Sequence, residues 1–230
     1  MIQGPSGHDG PHVFVIDLDR PVLEDGDRHH LSRVLRLRRG DPLTVSDGEG
    51  RWRAARFGSE IEPSGPLRSV PPSPPPITIA FALLKGERLD WVTQKLTELG
   101  VDEIRPFVAV RSVVRWDEAK AIVATQRLRK VAREAAMQSR RCRLPTVHPP
   151  GPWGGVAALP GAALAERDGG PVTLAHPTVL IGPEGGWAPE ERAGGLPRVG
   201  LGPLVLRAET AAIAAGVLLT ARRVPGSRIR

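Results

Sequence analysis

The spacing of apolar residues changes halfway along the chain, and the change marks two structural parts. In the first seventy or so residues, "HVFVIDL", "PLTVSDG" and "RWRAARF" are short β-like runs, separated by Gly-Asp and Asp-Gly turns. Between the first two runs, Leu31, Val34 and Leu35 fall on one face of a short predicted helix, His29–Arg36. This pattern predicts a small N-terminal β-barrel. The stretch Ser69–Ile77, "SVPPSPPPI", then places five prolines between Pro71 and Pro76. It can neither continue a helix nor lie in a central strand, so an extended, semi-rigid linker is expected. The resulting division is residues 1–68, a linker over 69–76, and a second domain over 77–230.

Beyond the linker the period alternates between strand and helix. "ITIAFALL" (Ile77–Leu84) reads as a buried strand. In "GERLDWVTQKLTELG", Leu89, Val92, Leu96 and Leu99 recur at helical spacing, with Gly100 as the stop. "EIRPFVAV" is a second strand, and Pro106 argues that it lies at an edge or starts late. "WDEAKAIVATQRLRKVAREAAMQSRR" is a long helix with Asp117 near its start and arginines at its end, an order that suits the helix dipole. "AALAE", "TVLIG" and "RVGLG" are three more strands. A helix from about Pro189 separates the last two, and "AETAAIAAGVLLTARR" is a final helix. Such alternation predicts an α/β fold with a parallel sheet.

Composition narrows the function. The chain has 230 residues and a formal net charge of +7. Lys120 to Arg143 holds eight basic residues against one acidic residue, Glu134, and so carries a net charge equal to that of the whole chain. "RHHLSRVLRLRR" (Arg28–Arg39) is a second basic cluster. Concentrated charge of this kind fits a polyanion such as RNA, and a solvated helix face is the alternative. Tyr is absent and aromatic residues make up 4%, which argues against a broad base-stacking platform. The single Cys142 excludes an internal disulfide framework, and the six His show no metal-ligand spacing, so no metal is expected. No apolar run approaches a membrane span, and "MIQGPSGHDG" lacks the form of a signal peptide. A cytoplasmic location is expected.

Two loops carry the chemistry. "LIGPEGGWAPEE" (Leu180–Glu191) and "LGPLVLRAET" (Leu201–Thr210) each run from a strand through Gly-Pro into a helix, at the strand ends where parallel sheets bind ligands. If their strands are neighbours, the loops form one pocket. Phosphate is a poor occupant: Glu184, Glu190 and Glu191 already place negative charge at the helix start, and both a P-loop Lys and a G-x-G-x-x-G fingerprint are missing. A phosphate-free, cationic ligand such as S-adenosylmethionine fits better, since glycines admit close backbone approach to an adenine edge. A Gly-Pro turn with no ligand is the alternative.

"KGERLDWVTQKLTELGV", "MQSRRCRLPTV", "LIGPEGGWAPEE" and "LGPLVLRAETAA" resemble the bacterial small-subunit ribosomal RNA uridine N3-methyltransferases, of the knotted SPOUT class. "HHLSRVLRLRRGD" resembles that family's PUA-like N-terminal barrel. The resemblance implies a SPOUT-type parallel sheet with a deep trefoil knot, S-adenosylmethionine as cofactor, and small-subunit ribosomal RNA or the 30S particle as partner. It also implies a homodimer. By similarity, Ala165, Ile181, Gly182, Gly185, Leu201, Gly202, Leu206 and Ala211 hold the cofactor. Glu209 is the base or orienting group, and Arg207 acts on the target base or a phosphate. An Arg and a Glu that merely cap the final helix are the alternative for that pair. Arg33, Arg36, Arg111, Arg129, Arg133, Gln138 and Arg141 are the expected RNA contacts. Met137, Val110 and Ala208 depart from the family pattern. A SPOUT enzyme with another RNA target and a non-catalytic RNA-binding or ribosome-assembly protein remain the competing readings.

Overall fold

The computed structural model describes residues 4–223. The start of "MIQGPSGHDG" and the two ends of the expected domains fall at residues 1–3 and 224–230, outside the described residues. The chain forms two compact units. One comprises the residues up to Pro72 together with Arg133–Leu144; the other comprises Ser73–Ala132 and the residues from Pro145 onward.

The first unit holds β1 (His12–Phe14), α1 (Asp25–His29), β2 (Pro42–Ser46), β3 (Arg51–Arg56), β4 (Glu62–Pro63) and β5 (Arg68–Ser69). The strands form one sheet in the order β1-β2-β3-β4, with β5 also on β3. β1 runs parallel to β2, and β2 and β3 form an antiparallel pair. Val13, Val15, Leu31, Leu43, Val45, Ala55, Phe57 and Ile61 make its core. The expected helix is displaced: it begins at Asp25, and His30–Val34 forms a π-helical turn. Of the predicted apolar face, Leu31 is buried, while Val34 and Leu35 are exposed. Arg36 then leaves the helix in the left-handed region, at φ 57°.

Arg133–Leu144 joins this unit through specific bonds. Arg133 donates to both carboxylate oxygens of Asp27, at 3.0 and 2.5 Å. The Cys142 carbonyl accepts from Ser46 Oγ at 3.0 Å, and Leu144 N–H donates to the Gly48 carbonyl at 2.9 Å. The segment therefore extends the β2–β3 hairpin. Burial pushes the Cys142 thiol up to about 12, which leaves it protonated and unreactive.

The second unit contains β6 (Thr78–Ala82), α2 (Arg88–Leu99), β7 (Glu103–Val108), most of α3 (Glu118–Gln138), β8 (Thr146–Val147), β9 (Gly151–Pro152), α4 (Trp153–Ala157), β10 (Ala162–Pro171), β11 (Thr178–Ile181), α5 (Pro189–Arg192), β12 (Arg198–Gly200) and α6 (Ala208–Arg223). Every strand pair is parallel, in the order β12-β10-β11-β6-β7-β8, with β9 also on β7. Strand alternation divides the core. Ile79 and Phe81 of β6 face α2 and α6, whereas Ala80 and Ala82 leave room on the other face for Phe107, Trp153 and Trp187. Gly216 of α6 is seated on Leu96 of α2, and an added Cβ would approach Leu96 Cδ2 to 2.9 Å. Gly100 ends α2 at φ 88°, its N–H turned back to the last helical carbonyls.

Two expectations are corrected here. β7 is not an edge strand: β6 lies on one side and β8 and β9 on the other. Pro106 is tolerated because it falls in the gap between β8, which pairs with Glu103 and Ile104, and β9, which pairs with Phe107 and Val108. In addition, β11 and β12 are not neighbours, because β10 lies between them.

In the first unit, His12 is buried with Nδ1 2.8 Å from Thr44 Oγ1. Burial, helped by the Arg140 guanidinium, lowers its pKa to about 4. The folded value lies below the unfolded one, so this contribution is complete above about pH 6.5 and is lost as the pH falls toward 4, by roughly 3 kcal/mol. Urea unfolding at several pH values should show a shallower acid-side loss of stability for His12→Asn than for the natural protein. Equal slopes would remove His12 as the source.

Candidate active site

Three chain passages, one within β10 and two that leave the carboxyl ends of β11 and β12, enclose a cleft of about 500 Å³, within the range of small-ligand pockets. The first passage, Ala165–Asp168, lies where the register of β10 against β12 shifts. The second follows β11 through Gly182, Pro183, Glu184, Gly186 and Trp187. The third runs from Leu201 to Leu206 and into α6 at Ala208 and Ala211. Because β10 separates the strands that lead into the two Gly-Pro loops, its irregular middle, Ala165–Asp168, also lines the cleft.

Trp187 shapes the second passage. Its indole N–H donates to the Ala165 carbonyl at 3.2 Å, which ties the first passage to the second. The ring stacks on Phe107 at 6.2 Å with an interplanar angle of 5°. Gly182 lies against the same ring, where an added Cβ would meet Trp187 Cε2 at 3.0 Å. Gly182 is therefore required by the indole and not by its own backbone angle. Gly186, at φ 70°, and Gly202, at φ 138°, meet the opposite condition: open space beside a backbone that side chains rarely adopt.

The three carboxylates of "GPEGGWAPEE" have different surroundings. Glu191 is fully buried and accepts from two backbone N–H groups, Val110 at 2.9 Å and Ala188 at 2.8 Å. It caps its helix and pins the loop after β7. Glu184 lines the cleft and pairs with Arg88 at 3.4 Å. Glu190 is exposed. Nearby, Glu166 is held between Arg192 at 2.7 Å and Arg198 at 3.1 Å, and all three line the cleft.

Of the expected cofactor positions, Ala165, Ile181, Gly182, Leu201, Gly202, Leu206 and Ala211 line the cleft. Gly185 does not; it faces Arg111, and its carbonyl accepts from Arg111 Nη1 at 3.0 Å. Sequence reasoning missed Glu166, Arg167 and Asp168, which carry no local motif and reach the cleft through the β10 register shift. It also missed Trp187, although the residue stands inside a quoted motif.

Glu209 sits in the first turn of α6, directly after the cleft-lining Ala208, and is only 7% exposed. Its Oε1 lies 3.6 Å from Arg88 Nε, while its buried Oε2 has no hydrogen-bond partner. Arg207 is exposed and does not line the cleft. The remaining candidates are divided between the units. Arg33, Arg36 and Gln138 are exposed in the first unit, and Arg141 is half-buried there. Arg133 of the same unit is engaged by Asp27 and Glu24 and lies over the Phe14 ring. Arg111 and Arg129 belong to the second unit, where Arg129 Nε donates to the Val147 carbonyl at 3.1 Å.

Removing a buried acceptor strands its donors, so Glu191→Ala should destabilise the second unit by roughly 3–5 kcal/mol, and Glu191→Gln, which keeps one acceptor oxygen, by less. Urea unfolding followed by tryptophan fluorescence checks the ranking. Equal stability of Glu191→Ala and the natural protein would exclude the carboxylate as a fixture of the loop.

Comparison with known proteins agrees with this architecture. Residues 71–220 match the RNA methyltransferase domain family, and residues 23–61 match the RNA methyltransferase PUA domain family. The chain is 37% identical to the ribosomal RNA small subunit methyltransferase E of Mycobacterium bovis, over 86% of each chain. It is 32% identical to the protein of that name from Synechocystis, over 83% of this chain and 69% of the relative. Among solved structures, the ribosomal RNA small subunit methyltransferase E of Neisseria gonorrhoeae, bound to S-adenosyl methionine, superimposes with a TM-score of 0.78 at 28% identity, covering 90% of this chain and 94% of the other. With its parallel sheet, its three-loop cleft and its N-terminal PUA domain, the chain belongs to the RNA methyltransferase family.

Proposed function

We propose that the protein methylates N3 of a uridine in small-subunit ribosomal RNA, with S-adenosylmethionine bound in the cleft formed by the register shift of β10 and the ends of β11 and β12. The observation that carries this reading is Glu209, a buried carboxylate beside the cleft with one oxygen lacking a donor. Uracil N3 carries a proton and is a poor nucleophile until that proton leaves. A fixed carboxylate with a free acceptor oxygen is suited to receive it. Arg207, exposed one position before α6, would meet the RNA.

The chemistry of the cleft fits the cofactor. Ile181, Leu201, Leu206 and Ala211 offer apolar surface to an adenine, while Glu166, Asp168 and Glu184 give carboxylates to a cationic ligand. Bound there, S-adenosylmethionine supplies an electrophilic methyl group on a sulfonium. The residues of the cleft then hold nucleophile and electrophile in line and exclude water.

In the same reading the first unit is the RNA-gripping PUA-like domain, the second unit is the methyltransferase domain, and the knot lies in the segment from β10 to α6. The active form is a homodimer in the cytoplasm, and the largely exposed Leu204 and Val205 give apolar surface for the pairing. The sequence departures do not disturb the site. Met137 packs on the core of the first unit, Val110 contributes its backbone N–H to Glu191, and Ala208 lines the cleft with a small side chain.

Purified small-subunit RNA and small ribosomal particles, incubated with labelled S-adenosylmethionine and digested to nucleosides, should carry label on N3-methyluridine. Glu209→Gln should slow transfer by about 10²- to 10⁴-fold. Label on another nucleoside would move the target, and full activity of Glu209→Gln would remove the base. In a separate calorimetric titration, Gly182→Val should weaken cofactor binding by roughly 10- to 100-fold, because overpacking against Trp187 costs on the order of 1–3 kcal/mol. Unaltered affinity would move the cofactor out of this cleft.

A further inference from the structure

We propose that Arg88 is a positioning residue that couples the cofactor loop to the catalytic carboxylate; this rests on the methyltransferase reading above. Arg88 is the first residue of α2, and its guanidinium lies between two carboxylates that are distant in sequence. Nη1 is 3.4 Å from Oε1 of Glu184, which lines the cleft. Nε is 3.6 Å from Oε1 of Glu209. With Oε1 facing Arg88, Oε2 is left as the acceptor without a partner. The guanidinium thus sets which oxygen of Glu209 is engaged and which, buried and without a donor, is left to accept a proton.

A purely structural role accounts poorly for this placement. A cation at a helix N-terminus opposes the macrodipole, and the acidic Asp90 in the same turn already meets the dipole's preference. The pair of Arg88 with Glu184 joins side chains that are 42% and 57% exposed, and such exposed pairs add little stability. The helices that carry Arg88 and Glu209 are held together further along, where Gly216 of α6 meets Leu96 of α2. Their N-terminal ends therefore stay adjacent without the arginine. What Arg88 adds is orientation: a rigid fork whose arms reach the cleft loop and the carboxylate together. Any ligand contact that shifts Glu184 is felt at Glu209 through one side chain.

The test uses the full-length protein with Arg88→Ala, Arg88→Lys and Glu209→Gln, alone and as the Arg88→Ala/Glu209→Gln pair. Initial rates of methyl transfer to small-subunit RNA give kcat and KM; cofactor Kd and Tm are measured alongside. Arg88→Ala should lower kcat on the order of 100-fold, the cost of misplacing a reacting group by about 1 Å. Tm and cofactor Kd should change little, and Arg88→Lys, which keeps the charge without the fork, should recover part of the loss. In the Glu209→Gln background, Arg88→Ala should add no further loss, because it acts through the carboxylate already removed. Full activity of Arg88→Ala, losses that multiply in the double variant, or a loss that follows a fall in Tm would each overturn the proposal while leaving the methyltransferase reading in place. Failure of the natural protein to methylate the RNA would overturn that reading, and this proposal with it.

Discussion

The site depends on one contact, the Trp187 indole lying on Gly182. The loop after β11 must fold back over the sheet to form the cleft, and it needs an anchor that excludes water. Trp187 provides one by stacking on Phe107, in the space that Ala80 and Ala82 leave on that face. A Cβ at residue 182 would press on the ring, at 3.0 Å from Cε2. The same indole donates to the Ala165 carbonyl, so a single aromatic group sets the separation of two of the three passages. Small residues in β6, an absent side chain at 182 and a large one at 187 are thus one packing solution.

Electrostatics builds on that packing. Acidic residues clustered at a helix start read in the sequence as one block of negative charge. In the structure they divide by burial. Glu191 is withdrawn entirely and its charge is met by two backbone donors. Glu184 stays at the cleft and Glu166 is held between two arginines, so the carboxylates that face a ligand are partly balanced. Glu184, Glu166 and Asp168 line the cleft beside Arg167, Arg192 and Arg198, so the charge facing a ligand is mixed and not the single negative block that the sequence suggests. Glu209 differs from all of these, with one oxygen facing a guanidinium and the other facing no donor.

The legible features were those set by local periodicity. The buried run at Ile77–Leu84, the helix ending at Gly100, the long basic helix and the final helix stand where apolar spacing puts them, within a few residues. What the sequence concealed depends on neighbours distant in the chain. Pro106 marked an edge strand or a late start by a sound rule, yet two short strands leave a gap where its N–H is missing. The cofactor loops implied a shared pocket, but the strand between them, and hence Glu166 to Asp168, follows from strand order and a register shift that no local pattern encodes. The π-helical turn that exposes Val34 and Leu35 is likewise fixed by tertiary context, because the apolar spacing there suits an ordinary helix.

The basic segment from Lys120 to Arg143 shows why counting charge overstates what a surface presents. A run of this density reads as a polyanion footprint. Arg127 pairs with Asp90, and Arg133 is clamped by Asp27. Arg129, Arg140 and Arg143 each donate to backbone carbonyls within their own unit. Several of these guanidiniums thus satisfy internal acceptors at fixed positions, where the planar fork of arginine serves better than lysine. A guanidinium bonded to a carbonyl keeps its full charge and still attracts phosphate, so the field persists while the side chain is held still. Arg133 differs, because Asp27 and Glu24 neutralise it locally. The segment is thus held by its own side chains, with Arg133 and the Cys142 region fixed within the first unit and Arg129 within the second.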